Sequence, residues 1–351
     1  MKKVLLACAL LASCSLLATS CGNTPNQPDN PDIPDQGEKP GDDDNPNEDD
    51  KPGDDTFDTS RNVNLYSREA GSGTRECFFE GIGYGDVAKE DKWEEGVTVS
   101  SPTSNGDMMS QVGSDPYGIG YCSLDGIGEN KSIKALSYDG ITPTEETVID
   151  GSYALQRNFN YVIRDYKSTT VENGEARSQV AHAFIEFFST VEGQVQIQSA
   201  GGIVTEAPTK TFEDLIEEYP ILSGSETVQL YTCGSTSVEK VLNASITYFT
   251  NNIPNKNITI SASQTGSGAA VTGITEGNSG TLADIGFLSR EINDEELAKL
   301  TDENIHGAMC VDAVVAIVNS KNTSVSDING ETLTSIYKGE LKTWADIVKA
   351  L

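Results

Sequence analysis

Across residues 62–351, short runs of β-branched and aromatic residues alternate with stretches whose apolar positions recur at helical spacing. The runs at 62–66, 97–100, 118–124 and 161–164 predict strands, as do those at 228–232, 257–261, 283–287 and 311–318. Between them Val238, Val241, Leu242, Ile246 and Phe249 form an apolar stripe, which predicts a helix packed on one face. Val180, Phe184, Phe187, Phe188 and Val191 form a second such stripe. Strands alternating with helices predict an α/β fold of parallel sheets covered on both faces. In such sheets ligands sit at the strand C-termini, where helices begin.

The N-terminus breaks this pattern. Lys2 and Lys3 precede an apolar stretch, 4–18, too short to span a bilayer comfortably. Leu17-Ala18-Thr19-Ser20-Cys21 follows, with small residues before a cysteine as in a bacterial lipobox. Residues 1–20 are therefore expected to be a lipoprotein signal peptide, with Cys21 acylated. Leu11-Ala12-Ser13-Cys14 has a similar form but leaves more apolar chain after it. From 21 to 61 the chain is rich in Pro, Asp, Asn and Gly, which predicts a disordered acidic tether. Within it, Asp42-Asp43-Asp44 reads as solvated linker rather than a calcium site.

Charge and cysteines narrow the function. The formal net charge of −30 argues against nucleic acid and anionic membrane surfaces as partners. It leaves room for a small anion held by a local cluster of donors. Outside the leader there remain Cys77, Cys122, Cys233 and Cys310, without a C-x-x-C pair, and the chain has 2 histidines, so no metal site is expected. His182 lies in an apolar helical stretch and His306 in a loop before a strand, which gives no catalytic triad pattern.

Three segments share a strand–loop–helix design. They are Ser67-Arg68-Glu69-Ala70-Gly71-Ser72-Gly73-Thr74-Arg75-Glu76, Gly234-Ser235-Thr236-Ser237-Val238-Glu239 and Gly266-Ser267-Gly268-Ala269-Ala270. Glycine lets the backbone approach a ligand, and serine and threonine cap the helix and donate hydroxyls. Thr236 with Glu239 fits a capping box. Free N–H groups and the positive end of each helix dipole make an anion site. The Gly-Lys-Ser/Thr ending of a nucleotide-binding loop does not follow any of them. Arg68 stands beside the first loop, and Arg75, one turn into the helix, is expected to face outward.

Together these motifs resemble the substrate-binding proteins of phosphate ABC transporters. Ser67 to Thr74 resembles that family's central arginine and serine-glycine-threonine motif. Gly234-Ser235-Thr236-Ser237 and Gly266-Ser267-Gly268 resemble its opening and second loops. Ala283-Asp284-Ile285-Gly286-Phe287-Leu288-Ser289-Arg290, Ile336-Tyr337-Lys338-Gly339, Thr343-Trp344-Ala345-Asp346 and the segments 184–194 and 311–319 also fit. The resemblance runs from about 62 to the C-terminus, except near 204–226. It implies a two-lobed type II periplasmic binding fold with a hinge. In the family pattern the Gly-Ser-Thr-Ser loop comes first, whereas here it follows the arginine motif, which implies a circular permutation joined through 204–226. One lobe is then expected to hold 62–157 and 320–351 and the other 158–319, with hinge segments near 158–164 and 314–319.

The resemblance also implies the function. Inorganic phosphate would be bound by Arg68, Ser72, Gly73 and Thr74 from one lobe and Thr236, Ser237, Ser267 and Ser289 from the other. The protein would be a monomer without enzymatic activity or cofactor. It would be membrane-anchored through its lipid, periplasmic or cell-surface, and would deliver phosphate to the transporter permease. Ser289 stands where the best-known family pattern has an aspartate that accepts a phosphate proton and repels sulfate. Another tetrahedral oxyanion such as sulfate is therefore the alternative ligand; a surface adhesion or matrix role for the same fold, which the long acidic tether would suit, is the alternative of another class. Asp284 is expected to be structural, and Arg290 to add positive potential or point to solvent. If disulfides form, Cys77 with Cys122 and Cys233 with Cys310 are the pairings that leave a hinge free.

Overall fold

The computed structural model of the protein describes residues 56–128, 130–276 and 282–351. The expected signal peptide, Cys21 and the tether as far as residue 55 lie outside the described residues. In chain order, β1 (Asn64–Tyr66) leads to α1 (Gly73–Gly81), β2 (Val99–Ser100), α2 (Asn105–Ser114), β3 (Gly118–Ser123), β4 (Ile133–Ala135), β5 (Ser137–Tyr138) and α3 (Glu145–Ile149). β6 (Gln156–Ile163) is followed by α4 (Gly174–Phe187), α5 (Val191–Ser199) and α6 (Phe212–Glu218). Then come β7 (Val228–Gly234), α7 (Glu239–Asn252), β8 (Ile258–Gln264), α8 (Gly268–Thr275), β9 (Ile285–Leu288) and α9 (Asp294–Leu297). β10 (His306–Asn319), β11 (Asp327–Ile328), α10 (Gly330–Tyr337) and α11 (Trp344–Ala350) complete the chain.

The main sheet runs β2-β1-β3-β10-β6-β9-β7-β8, with β4 also on β10. Its two ends are parallel, as the alternation predicts: β1 with β2 and β3, and β7 with β8 and β9. Its middle is antiparallel, which the alternation does not predict. The cause is β10, which changes partners along its length. His306–Ala313 pair with β6, and Val314–Val318 pair with β3; β6 pairs in turn with β9, so β10 and β6 together join the two parallel groups. Both crossing strands are longer than the apolar runs at 161–164 and 311–318. Arg157, Asn158 and Asn160 open β6, and alternating exposure marks the first half of β10, so hydropathy hides both beginnings.

Two large cores lie along this sheet. One gathers Leu65, Phe78, Phe79, Tyr121, Ala313–Val318, Ile336 and Trp344. The other gathers Phe159, Phe184, Phe187, Leu230, Leu242, Phe249 and Phe287. A small third cluster beneath α8 includes Val271, Ile274 and Leu288. Val314–Val318 belong to the first core because they pair with β3, although a boundary at 319 counts them with the second half. The predicted stripes explain the helices. Val241, Leu242 and Phe249 of α7 and Val180, Phe184 and Phe187 of α4 are buried, each side chain contributing about 1.5–3 kcal/mol. Val191 departs from its stripe: it opens α5 and is exposed.

Two details refine the domain boundaries. Phe57 packs between Tyr117 and Trp344, with ring centroids 5.2 and 5.6 Å away, and Trp344 N donates to Arg61 O at 3.1 Å. The ordered chain therefore starts before 62, where composition alone reads tether. The joining region near 204–226 contains α6, whose Phe212 and Leu215 are buried in the second core. Cys77, Cys122, Cys233 and Cys310 are free thiols. Among the described residues no helix is long and apolar enough to cross a membrane.

Candidate functional site

The three Gly/Ser loops lie at the C-terminal ends of β1, β7 and β8 and open α1, α7 and α8. Gly234 and Gly266 turn their loops at φ 125° and 144°, a region that favours glycine, and a Cβ on Gly234 would overlap the Phe287 carbonyl. Only α1 is capped by its serine, with Ser72 Oγ accepting from Arg75 N at 3.4 Å. The capping box expected of Thr236 and Glu239 does not form. The N-cap of α7 is Val238, and Val238 N and Glu239 N donate to Ser235 O and Thr236 O, closing tight turns at 3.4 Å each. Ser267 does not cap α8 either; its hydroxyl accepts from Ser289 N at 3.1 Å. A missing side-chain cap forfeits about 0.5–2 kcal/mol, so two helix starts give up local stability while their hydroxyls turn inward.

Those hydroxyls meet. Thr74 Oγ1 and Ser237 Oγ share a hydrogen bond of 2.7 Å. Ser235 Oγ donates to Ser289 Oγ at 2.8 Å, and Ser267 Oγ lies 3.2 Å from Ser289 Oγ. All five residues are buried. Gly73 makes room for them: a Cβ there would overlap Ser267 Oγ and lie 2.7 Å from Ser289 Oγ. Gly268 N donates to Gly71 O at 3.1 Å, drawing the first and third loops together. Thr236 is placed apart. It lines a cleft of about 530 Å³ that reaches the cluster at Ser237, with Asn105, Asp125, Glu239 and Lys240.

Arg68 sits beside this cluster and is 1% exposed. Its Nε and Nη2 donate to the Glu69 carboxylate at 2.9 and 2.7 Å, and Nη2 also donates to Thr103 O at 3.1 Å. Nη1 is buried and has no partner. Arg75, expected to face outward, is instead fully buried. It donates to Val87 O, Arg68 O, Glu90 O and Asp91 Oδ1 at 2.6–2.9 Å and lies over the Trp93 ring. All three of its guanidinium nitrogens are thereby engaged, so it clamps the arginine loop from behind. Tyr121 supports the same loop, accepting from Arg68 N at 3.0 Å and sharing a bond with Ser67 Oγ, and burial pushes its hydroxyl up to about 12.

Sequence reasoning missed a second layer. Arg157 of β6 donates to Asp312 of β10 through Nε and Nη2 at 3.0 and 2.7 Å, with the two side chains only 3% and 2% exposed. The same guanidinium donates to Ser123 Oγ at 2.6 Å and to Ser289 O at 3.3 Å. Asn105, in the first turn of α2, donates to Ser123 Oγ at 2.9 Å and Ser237 Oγ at 3.2 Å. One polar network thus reaches from the crossing strands to the serine cluster. The available signal was a lone charge inside an apolar strand, Asp312 between Val311 and Ala313.

Other expected residues fall around the site. Asp284, expected to be structural, is fully buried and accepts from Arg177, Tyr166 and Tyr231 N at 2.6–3.0 Å. Arg290 does not point to solvent. It bonds both Glu296 oxygens at 2.6 and 2.8 Å, and its Nε lies 3.0 Å from Glu76 of α1. Burial holds the Glu76 carboxyl above its ordinary value, against the pull of Arg290. His182 stands half-buried on α4, its pKa lowered by burial, and His306 opens β10 in solvent rather than lying in a loop before it. Among the described residues no group of three or more His, Cys, Asp or Glu side chains could hold a metal ion.

Comparison with known proteins gives this arrangement relatives. Residues 223–351 match the family model of a PBP superfamily domain. The phosphate-binding protein PstS 2 of Streptococcus pneumoniae serotype 4 is 33% identical over 292 residues, 82% of this chain and 88% of that one. PstS 2 of Streptococcus agalactiae serotype V is 28% identical over 291 residues, with the same coverage. The pneumococcal match runs through both halves, so the order of the halves in this chain is shared with that relative. Among solved structures, the phosphate-binding protein of a phosphate ABC transporter from Streptococcus pneumoniae TIGR4 superposes with a TM-score of 0.57. It is 29% identical and covers 82% of this chain and 99% of its own, which identifies the mixed sheet as a type II periplasmic binding fold. The chain belongs to the PstS family of phosphate-binding proteins.

Proposed function

We propose that this protein binds inorganic phosphate, without transforming it, and delivers it to the permease of an ABC transporter. The observation that carries this reading is the unpartnered Nη1 of buried Arg68 beside five inward-turned hydroxyls and three helix starts. A buried donor without a partner costs about 1–3 kcal/mol, and an enclosed oxyanion removes that cost through a charge-assisted bond. Arg68, Ser72, Gly73 and Thr74 would hold the anion from one side, and Ser237, Ser267 and Ser289 from the other. Thr236 would border the entrance.

The two large cores would act as lobes, hinged where β6 and β10 cross near Arg157 and Asp312. The hydrogen bonds Gly268 to Gly71 and Thr74 to Ser237, with the ion pair of Arg290 and Glu76, join the two sides, and ligand contacts to both would favour that closed arrangement. Cys21 would carry a lipid and hold the domain at the membrane by the acidic tether. Fatty-acid labelling that persists unchanged in Cys21→Ala would defeat that anchor.

A second reading has one observation in its favour. Ser289 is a neutral hydroxyl already shared with Ser235 and Ser267, so nothing at that position repels sulfate. Calorimetric titration of the full chain with phosphate and with sulfate at one pH separates the two. Tighter phosphate binding is expected; tighter sulfate binding overturns the choice of ligand.

A further inference from the structure

Two buried polar atoms of opposite character lack partners beside the serine cluster: the donor Arg68 Nη1 and the acceptor Asn105 Oδ1. They belong to one locality. Arg68 Nη2 donates to Thr103 O at 3.1 Å, two residues before Asn105. The Asn105 amide nitrogen is committed elsewhere, to Ser123 Oγ at 2.9 Å and Ser237 Oγ at 3.2 Å. Ser123 Oγ is in turn fixed by Arg157 Nη2 at 2.6 Å, and Ser237 Oγ by Thr74 Oγ1 at 2.7 Å. The amide is therefore held by its nitrogen on both sides, and its oxygen remains as an acceptor.

A ligand that satisfies both orphans must accept from the arginine and donate to the amide oxygen. Sulfate near neutral pH offers acceptors alone. Phosphate carries at least one proton under the same conditions and offers both. An acceptor left unmet in a desolvated site penalises the ligand that lacks the proton, which is how a neutral group discriminates between two anions of similar shape.

We infer that Asn105 is a specificity-determining residue of this site, its side-chain oxygen accepting the proton of a bound hydrogenphosphate. The inference rests on the phosphate reading above and supplies the proton acceptor that Ser289, a hydroxyl, does not provide as a carboxylate would.

The test is a calorimetric titration of the parent, Asn105→Ala and Asn105→Asp with phosphate and with sulfate at pH 7. Asn105→Ala is expected to weaken phosphate about tenfold while sulfate changes little, since a single neutral bond is lost. Asn105→Asp keeps the acceptor and adds charge, so the phosphate-to-sulfate affinity ratio is expected to rise above the parent's. Opposite movement of the ratio in the two variants is something that misfolding does not produce. Equal losses for both anions in Asn105→Ala, or a lower ratio in Asn105→Asp, overturn the assignment. A parent that binds no phosphate at all removes the underlying reading instead, and the parent titration alone shows it.

Discussion

The buried Arg157–Asp312 pair offers the sharpest test of how the crossing strands serve the site. Asp312→Ala leaves the Arg157 guanidinium, 3% exposed, with Ser123 Oγ and Ser289 O as hydrogen-bond partners and without a counter-charge. An uncompensated buried charge costs about 3–5 kcal/mol. For a domain of this size each kcal/mol lowers the unfolding midpoint by about 2–4 °C, so a fall of about 6–20 °C is expected. Removing both charges has a different outcome. Arg157→Met with Asp312→Leu abolishes the desolvation cost of two ions and fills similar volume, which is often neutral or stabilising by about 1–4 kcal/mol. Against that stand the lost donors to Ser123 and Ser289, at about 1 kcal/mol each. The double variant is therefore expected near the parent and above Asp312→Ala. Its phosphate affinity should still fall, because nothing then holds the Ser289 carbonyl or the hydroxyl that anchors Asn105. Thermal unfolding by circular dichroism, with phosphate titrations of the same samples, reads both effects. A double variant less stable than Asp312→Ala, or an Asp312→Ala within 1 kcal/mol (about) of the parent, would refute this reasoning.

Three further outcomes follow from the same geometry. Arg68→Ala should weaken phosphate by about 30- to 1000-fold, from loss of a charge-assisted bond and from a Glu69 carboxylate left unpaired, whereas Arg75→Ala should lower the unfolding midpoint first. Gly73→Ala should reduce affinity by obstructing closure, since its methyl would overlap Ser267 Oγ; calorimetry showing parental affinity would contradict this. Burial raises the Glu76 pKa from 4.5, so the folded state holds that proton more tightly than the unfolded chain. The stability it contributes is complete below pH 4.5 and is lost as pH rises through the folded value; Glu76→Gln should flatten that decline in urea-unfolding midpoints measured from pH 4.5 upward.

Local chemistry made much of this protein legible before folding. The apolar stripes of α4 and α7 and the strand–loop–helix design of the three loops depend on residues near one another in sequence, so periodicity and glycine placement sufficed. Residues distant in sequence had to be brought together before the rest appeared. Arg157 and Asp312 are 155 positions apart, and only the pairing of β6 with β10 makes one the partner of the other. Asn105 meets Ser237 across 132 positions. Arg75 reads as a surface residue by its place in the helix, but Val87 and Asp91 fold over it. Thr236 and Glu239 have the spacing of a capping box, yet the turn at Ser235–Val238 uses the backbone instead, and the Ser235 and Ser237 hydroxyls go to the cluster. Sequence determined which residues could hold an anion, because that is a property of residue type and local backbone. Tertiary structure decided which of them face one another, because a buried polar atom is defined by what surrounds it.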